Sequence, residues 1–483
     1  MHELKELLKD KGAEVLARQV DIGVIQRVSV AELFGLAEQL ENAPEEAIAQ
    51  LRHALTAFRE EQRVQEKQMM SEDSKLVFTP PVPASLAETP VMNHVLLTGG
   101  TGFIGPFLIK SLLEQTRAKI YVLVRASDDN QGRQRLRAAM ESMGPSPAGL
   151  MQMFEARVIP ICGDLGQPML GVPQDVWDFL ASEMDTVFHN GATVNYLFNY
   201  DRMRDANVLG TNEVLRLAFE GRAKEFNYVS TTFVFGWAVK SVLYETDFNK
   251  DMELLDFGYS QSKWVAEQVV ADARARGLST RIFRPALVSP SVTGGGNNFD
   301  IAVRLVAFMV NHGIGVDALN QVSFVPADIV ANNIVAISAS PQTANQTYHM
   351  VRDDYANMLD ITNIITKLTG RQFEVFGVDD FVPELIRRCR KEDLLFPLLD
   401  FLVGSVDNIT AMEFKRYDNS TYQIARDASA WGVPDPSLED TVSGILKFMH
   451  RKGIISVAAR EPSTTSSAAE PLAFTDASPA TAF

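Results

Sequence analysis

Cysteine is nearly absent: Cys162 and Cys389 are the only two in 483 residues. Two thiols cannot build a disulfide framework or a thiolate metal cluster, so a reducing compartment and no metal site are expected. Each thiol reads as a small buried hydrophobe. No apolar run is long enough to cross a bilayer. The opening MHELKELLKDKG is charged and helical, unlike a signal peptide. These absences predict a soluble, cytoplasmic protein without a membrane span. Positive charge is also short, with 45 Lys and Arg against 61 Asp and Glu and a formal net charge of −16. A nucleic-acid partner needs a broadly basic face to displace counterions, so that class is excluded, although a local basic pocket for a phosphate is not.

What is present is an ordinary globular composition, 46% hydrophobic, in a chain long enough for two to three domains. Residues 1–75 read as helical. Leu4, Leu7 and Leu8 recur at helical spacing, as do Ala31, Leu33, Leu36 and Leu40. A linker over 76–91 follows, its centre TPPVPASLAETP too rich in proline for helix or central strand. From His94 the pattern changes to short apolar runs alternating with helical stretches. The runs are HVLLT, IYVLVR, RVIPIC, TVFH, FNYVS and RIFR, the last at 281–284. Alternation of this kind predicts an α/β fold, a Rossmann-type doubly wound parallel sheet over 92–290 covered by helices on both faces. Residues 291–456 are less regular and are assigned to a smaller, mostly helical substrate-binding region, entered through a flexible glycine-rich passage, SVTGGGNN. The Ser, Thr, Ala and Pro of 457–483 predict a disordered tail.

The first strand ends in Thr98-Gly99-Gly100-Thr101-Gly102-Phe103-Ile104-Gly105, which opens a helix. Glycines at 99, 102 and 105 suit a tight turn, a close approach of backbone to pyrophosphate, and helix–strand packing. The helix N-terminus adds unpaired N–H groups and partial positive charge. In this strand–turn–helix setting the pattern predicts a dinucleotide site. An NAD site usually places Asp or Glu at the end of the second strand. Here that strand ends in Arg125, whose planar fork suits the 2′-phosphate of NADP. Arg135 is either a second contact or a solvated helix charge, and the nearby Asp128 and Asp129 weigh somewhat against NADP.

Tyr259 and Lys263 lie four apart in the helical GYSQSKWVAEQ and so share a face. A free tyrosine titrates near pH 10, and a neighbouring ammonium would lower that value enough for proton transfer. The strand FNYVS runs into Ser230-Thr231-Thr232, placing a hydroxyl at the C-terminal end of a strand, where such sheets bind ligands. Register favours Thr231 as the partner of a substrate carbonyl, with Ser230 and Thr232 as alternatives. His189 reads as a strand-end packing residue.

TGGTGFIG, GDL at 163–165, HNGATVNY at 189–196, NVLGT at 207–211, YVSTT, YSQSK and FRPALVSP occur in that order. Together they resemble the extended short-chain dehydrogenase/reductase superfamily. VLVRA followed by Arg135-Leu136, with the spacing of HNGATVNY to NVLGT, is similar to its thioester reductase branch. That branch comprises the terminal reductase domains of nonribosomal peptide and polyketide synthases and of carboxylic acid reductases, with the fatty acyl reductases as kin. The resemblance covers about 92–330 firmly and 330–456 loosely. It implies that Thr98 to Gly105 bind pyrophosphate, and that Asp164 and Leu165 flank the adenine. Asn190, Gly191 and Ala192 would line the cofactor cleft, and Pro285 to Val288 would pack beside the nicotinamide. Asn207 would support a catalytic set of Thr231, Tyr259 and Lys263. Gly191 and Ala286 depart from the family's usual alanine and glycine.

The resemblance further implies NADPH-dependent reduction of an acyl or peptidyl thioester on a phosphopantetheine carrier to an aldehyde, with a second reduction to the alcohol left open. The partner would be an acyl or peptidyl carrier protein. Alternatives within the superfamily are a fatty acyl-CoA reductase and a sugar-nucleotide epimerase or dehydratase, the latter disfavoured by Arg125. RVSVAELFGLAEQLE at 27–41 looks like the last helix of a carrier protein, yet residues 1–70 hold no Asp-Ser-Leu attachment site. The N-terminal segment is therefore read as a carrier remnant or docking helices, or equally as a helical cap. LLFPLLDFLVG at 394–404 is read either as core or as the lining of an acyl channel.

Overall fold

The computed structural model describes residues 8, 39–40, 42–81, 92–145, 147–255, 257–297, 300–412 and 415–456. Most of the carrier-like helix at 27–41, the linker from 82 to 91 and the tail at 457–483 lie outside the described residues. Seven strands form one parallel sheet: β1 (His94–Thr98), β2 (Lys119–Val124), β3 (Val158–Cys162), β4 (Thr186–His189), β5 (Glu225–Val229), β6 (Thr280–Pro285) and β7 (Thr347–Met350). Their order is β7-β6-β5-β4-β1-β2-β3. Leu96 of β1 lies opposite Tyr121 on one side and Val187 on the other.

The strands are short apolar runs because both faces are covered. Successive side chains alternate between them. Val95 and Leu97 enter a core with Leu108, Leu112 and Ile334, whereas Leu96 enters the opposite one with Leu180, Leu215 and Val269. Helix α1 (Pro44–Asp73) precedes the sheet. Around it lie α2 (Gly105–Gln115), α3 (Asp129–Glu141), α4 (Gly210–Phe219) and α5 (Gly258–Ala275). The chain winds outward from β1 to β3, then returns to β4 on the other side of β1. The crevice above that reversal is where sheets of this winding bind ligands.

Residue 290 is not a boundary of the sheet. After it the chain forms α6 (Ile301–His312), then α7 (Ala327–Ser338), which packs beside α2, and then β7, which pairs with β6. Without β7 the edge of β6 would be left open. The remainder of 291–456 builds its own apolar core, in which Val306 and Met309 of α6 meet Ile361, Ile445 and the buried Cys389. The glycine-rich passage is also tied down. The Gly296 N–H donates to the Ser142 carbonyl at 3.0 Å, and Asn297 Nδ2 donates to the carbonyls of Thr101 and Gly102 at 3.4 and 3.3 Å.

Helix α1 is a cap on the sheet domain rather than a free segment. Asp73, 5% exposed, accepts from the Tyr200 hydroxyl at 2.7 Å and from Arg204 Nε and a terminal nitrogen at 2.6 and 2.7 Å. Met70 is buried with Tyr200, Trp264 and Val265. The start of the expected linker is fixed too, because the N–H groups of Leu76 and Val77 donate to Asp272 and Asn212, each at 3.2 Å. Removing a buried carboxylate that accepts three hydrogen bonds leaves charged and polar groups without a partner. Asp73→Ala is therefore expected to cost about 2 kcal/mol and to speed hydrogen exchange along α1. Unchanged denaturant midpoint and exchange rates would refute the cap.

Candidate active site

The turn after β1 is shaped by its glycines. Gly99 has φ +72°, and a Cβ there would meet the Gly191 backbone at 2.7 Å. A Cβ at Gly105 would strike the Gly99 carbonyl oxygen at 2.2 Å, so the first turn of α2 can pack on the loop only as glycine. Gly102 stays exposed, leaving its backbone open. This is a cradle that a side chain would fill, set at a helix N-terminus, and it fits a pyrophosphate. Across the crevice, Asn190 Nδ2 donates to the Gly99 carbonyl at 3.2 Å.

A buried relay holds β1, β4 and the following helix together. Thr98 Oγ1 is 2.7 Å from His189 Nδ1 and accepts from the Gly191 N–H at 2.9 Å. His189 Nε2 is 2.9 Å from Thr211 Oγ1, which donates its own proton to the Asn207 carbonyl at 2.6 Å. Thr211 must therefore accept from Nε2–H, and Nδ1 must accept from Thr98, which fixes the imidazole as the neutral Nε2 tautomer. Burial pushes the His189 pKa down to about 3, with the Lys263 charge adding to it. His189 is a structural hinge pin, and Thr98 turns into the relay rather than into the crevice.

Asn207 sits in a π-helical turn, Asp205–Leu209, within the helix that continues as α4. Its Oδ1 accepts from the Thr193 N–H at 2.7 Å, and its Nδ2 donates to the Thr193 carbonyl at 3.0 Å and to Ser262 Oγ at 2.9 Å. The amide thus clamps the loop after β4 onto α5.

Helix α5 carries Tyr259 and Lys263 on one buried face. Tyr259 and the side chain of Thr231 stand close together on the lining of one cavity. Thr231 Oγ1 accepts from the Phe233 N–H at 3.2 Å, and Ser230 Oγ donates to Glu267 at 2.5 Å. Lys263, 3% exposed, donates to the Val229 carbonyl at 2.7 Å and lies 3.4 Å from the Tyr228 hydroxyl. Burial pushes its pKa down to about 7, against the opposing charge of Glu267. The sequence predicts that Lys263 lowers the Tyr259 pKa. The structure shows the reverse shift: burial, then the Asp300 charge, raise it, because the ammonium is turned onto the end of β5.

These side chains face a cavity of about 370 Å³. Gly99, Gly102, Phe103, Ile104, Asn190 and Ala192 line it together with Thr231, Tyr259, Lys263, Pro285 and Val288. Thr101, Gly105, Gly191 and Asn207 do not line it. Arg125 and Arg135 are exposed beyond the end of β2, where the Arg135 guanidinium donates to the Arg125 carbonyl. Asp128 is occupied as the N-cap of α3, accepting from the Gln131 N–H at 2.9 Å. Asp164 closes its own turn on the Gly166 N–H at 3.0 Å, and Leu165 packs against the crevice floor.

A family model described as "Male sterility protein" matches residues 97–334. The chain is 36% identical over 307 residues to one subunit of the linear gramicidin synthase of Brevibacillus parabrevis, a match that covers 61% of this chain and 6% of that protein. It is 34% identical over 263 residues to the L-2-aminoadipate reductase large subunit of Penicillium chrysogenum, 51% of this chain and 18% of that one. It therefore spans a minor part of either relative. The crystal structure of the terminal R domain from the myxalamid PKS-NRPS biosynthetic pathway matches with a TM-score of 0.74 at 32% identity, covering 81% of this chain and 99% of that one. This chain belongs to the terminal reductase (R) domains. It is accordingly an oxidoreductase of the extended short-chain dehydrogenase/reductase superfamily, acting with a nicotinamide cofactor.

Part of the lining of the R domain's cavity was not legible from sequence: Tyr196, Phe233, Asp300, Arg304, Pro397 and Leu398. Only the apolar LLFPLLDFLVG stretch carried a signal. Pro397 and Leu398 from it reach the cavity, while Leu395 and Leu399 are core.

The buried ammonium makes a checkable prediction. A lysine whose folded pKa lies below its ordinary 10.5 destabilises the fold most below pH 7, and the penalty fades as pH rises from 7 towards 10.5. The stability of Lys263→Met relative to wild type should thus be most favourable below pH 7 and shift towards wild type over that window. A pH-independent difference in denaturant midpoints would contradict the buried charge.

Proposed function

We propose that this R domain reduces an acyl or peptidyl thioester, delivered on the phosphopantetheine arm of a carrier domain, to an aldehyde at the expense of NADPH. The observation that carries the reading is that Thr231, Tyr259 and Lys263 line one cavity with Gly99 and Gly102 of the glycine cradle, Lys263 lying one helical turn from Tyr259. Its relatives from peptide and mixed polyketide–peptide synthases support a carrier-bound substrate. The cytoplasm, with its reduced thiols and NADPH, is the compartment we assign.

The thioester carbonyl oxygen would accept hydrogen bonds from the Thr231 and Tyr259 hydroxyls, which stabilise negative charge as it develops there. When bound, the dihydronicotinamide supplies a hydride to the carbonyl carbon. Burial keeps the Tyr259 phenol protonated at neutral pH, so its proton is available as the alkoxide forms. The resulting hemithioacetal loses its C–S bond, giving the aldehyde, while the sulfur leaves with a proton as the free thiol. Lys263 holds the end of β5 through the Val229 carbonyl. Asn207 positions α5 through Ser262.

Arg125 and Arg135 support NADPH over NADH. They place two guanidinium groups where an NAD site would present a carboxylate, and Asp128 is already occupied as a helix cap.

Two assays test the reading. NADPH oxidation with formation of an aldehyde is expected on offering acyl-pantetheine thioesters, and Tyr259→Phe should slow it about a hundredfold or more while leaving NADPH affinity near normal. Absence of any reduced product from carrier-bound, pantetheine or coenzyme A thioesters would overturn it. Separately, Arg125→Glu should weaken NADPH binding far more than NADH binding, and equal losses in a fluorescence titration would remove the NADPH assignment.

A further inference from the structure

The cavity lining holds a carboxylate among aromatic and aliphatic side chains, Tyr196, Phe233, Pro397 and Leu398. Asp300 is the N-cap of α6. Its Oδ1 accepts from the Ile301 N–H at 2.6 Å and from the Tyr196 hydroxyl at 2.8 Å. Tyr196 is itself wedged among rings, with centroid distances of 6.1 Å to Tyr259, 5.8 Å to Phe401 and 6.0 Å to Phe257. The two hydrogen bonds both fall on Oδ1, and they orient the carboxyl while it lines the cavity with Phe233, Pro397 and Leu398. Through Tyr196 the carboxyl is one ring away from Tyr259, and both line the same cavity.

That proximity bears on which part of a substrate meets it. With the carbonyl oxygen held at the Tyr259 and Thr231 hydroxyls, a carboxyl beside Tyr259 in the same cavity is within reach of a group on the carbon next to the carbonyl. A plain hydrocarbon chain offers this carboxyl nothing to bind and would strip it of water, which is costly for a charged group. An N–H group on that carbon would meet it with a charge-assisted hydrogen bond. Asn195, the other polar neighbour, is taken up in its own turn, its Oδ1 accepting from the Leu197 N–H at 2.8 Å. Arg304, one helical turn beyond Asp300, also borders the cavity and donates to the Leu394 carbonyl at 2.7 Å.

We infer that Asp300, oriented by Tyr196, is a specificity-determining residue that accepts a hydrogen bond from the α-N–H group of the acyl chain, amine or amide. This rests on the thioester reading above and narrows it to aminoacyl and peptidyl thioesters over simple fatty acyl ones.

The test uses pantetheine thioesters of alanine, N-acetylalanine and propionate, which differ only at the α-nitrogen. Wild type is expected to favour both nitrogen-bearing substrates over propionyl in kcat/KM by about tenfold to a hundredfold. Asp300→Asn keeps an N-cap acceptor but loses the charge, and it should reduce that ratio by about tenfold. Tyr196→Phe, which removes the orienting hydroxyl, should reduce it to a lesser degree and serves if the first variant is poorly folded. Dissociation constants of the corresponding unreactive pantetheine amides, measured by calorimetry, should show the same order without turnover. A preference for alanine alone over N-acetylalanine would assign the site to a free ammonium, and the converse to a peptide N–H; either sustains the inference. Equal kcat/KM for all three in wild type, or an equal loss for all three in Asp300→Asn, overturns it while the thioester reading stands. Failure to reduce any of them, with no other thioester reduced, brings down both.

Discussion

One buried amide determines where the reactive groups stand. Asn207 holds both the N–H and the carbonyl of Thr193 and, from the same nitrogen, Ser262 of α5. The loop it grips leads to Tyr196, and the helix it grips carries Tyr259. Two tyrosine rings that are 63 residues apart in sequence are thereby brought edge to face, their centroids 6.1 Å apart. The π turn is what makes this possible. It rotates Asn207 out of the regular helical register, and such bulges recur where a side chain must serve a site rather than a core.

Two layers of polar contact then separate support from chemistry. Behind the crevice, the Thr98–His189–Thr211 relay and the Ser230–Glu267–Arg284 cluster are closed, each donor meeting an acceptor inside the protein. In front, Thr231 and Tyr259 stand side by side on the lining of the cavity. The low dielectric of the surroundings strengthens every such bond and penalises any left unpaired, so the closed layer is stiff and the open one is primed for a partner. This explains how three consecutive hydroxyl residues on one strand end have different roles. Ser230 spends its proton on Glu267, and Thr231 caps the short helix that begins at Thr232, its Oγ1 accepting from the Phe233 N–H.

What could be read from sequence was local. The glycine spacing, the Tyr–Lys interval and the apolar runs each depend on residues within one turn or one strand, where periodicity and backbone sterics act directly. What could not be read depends on distant packing. The return of α7 and β7 to the sheet requires the edge of β6 to be uncovered, and no signal near residue 347 announces that. Asp300 looks like an ordinary helix cap in sequence, and it is one. Only the fold reveals that the same carboxyl borders Tyr196 and the cavity. The expected lowering of the Tyr259 pKa failed for a related reason: spacing on a helix puts Lys263 on the correct face but does not say that the Val229 carbonyl competes for its ammonium.

The floor of the crevice shows how a change there would be absorbed. A methyl group at Gly191 would sit 2.5 Å from Leu165 Cδ1 and 2.9 Å from Thr98 Oγ1. The leucine atom is the tip of a flexible side chain and can swing aside, whereas Thr98 Oγ1 is pinned between His189 and the Gly191 N–H. Enlarging 191 therefore loads the relay rather than the leucine.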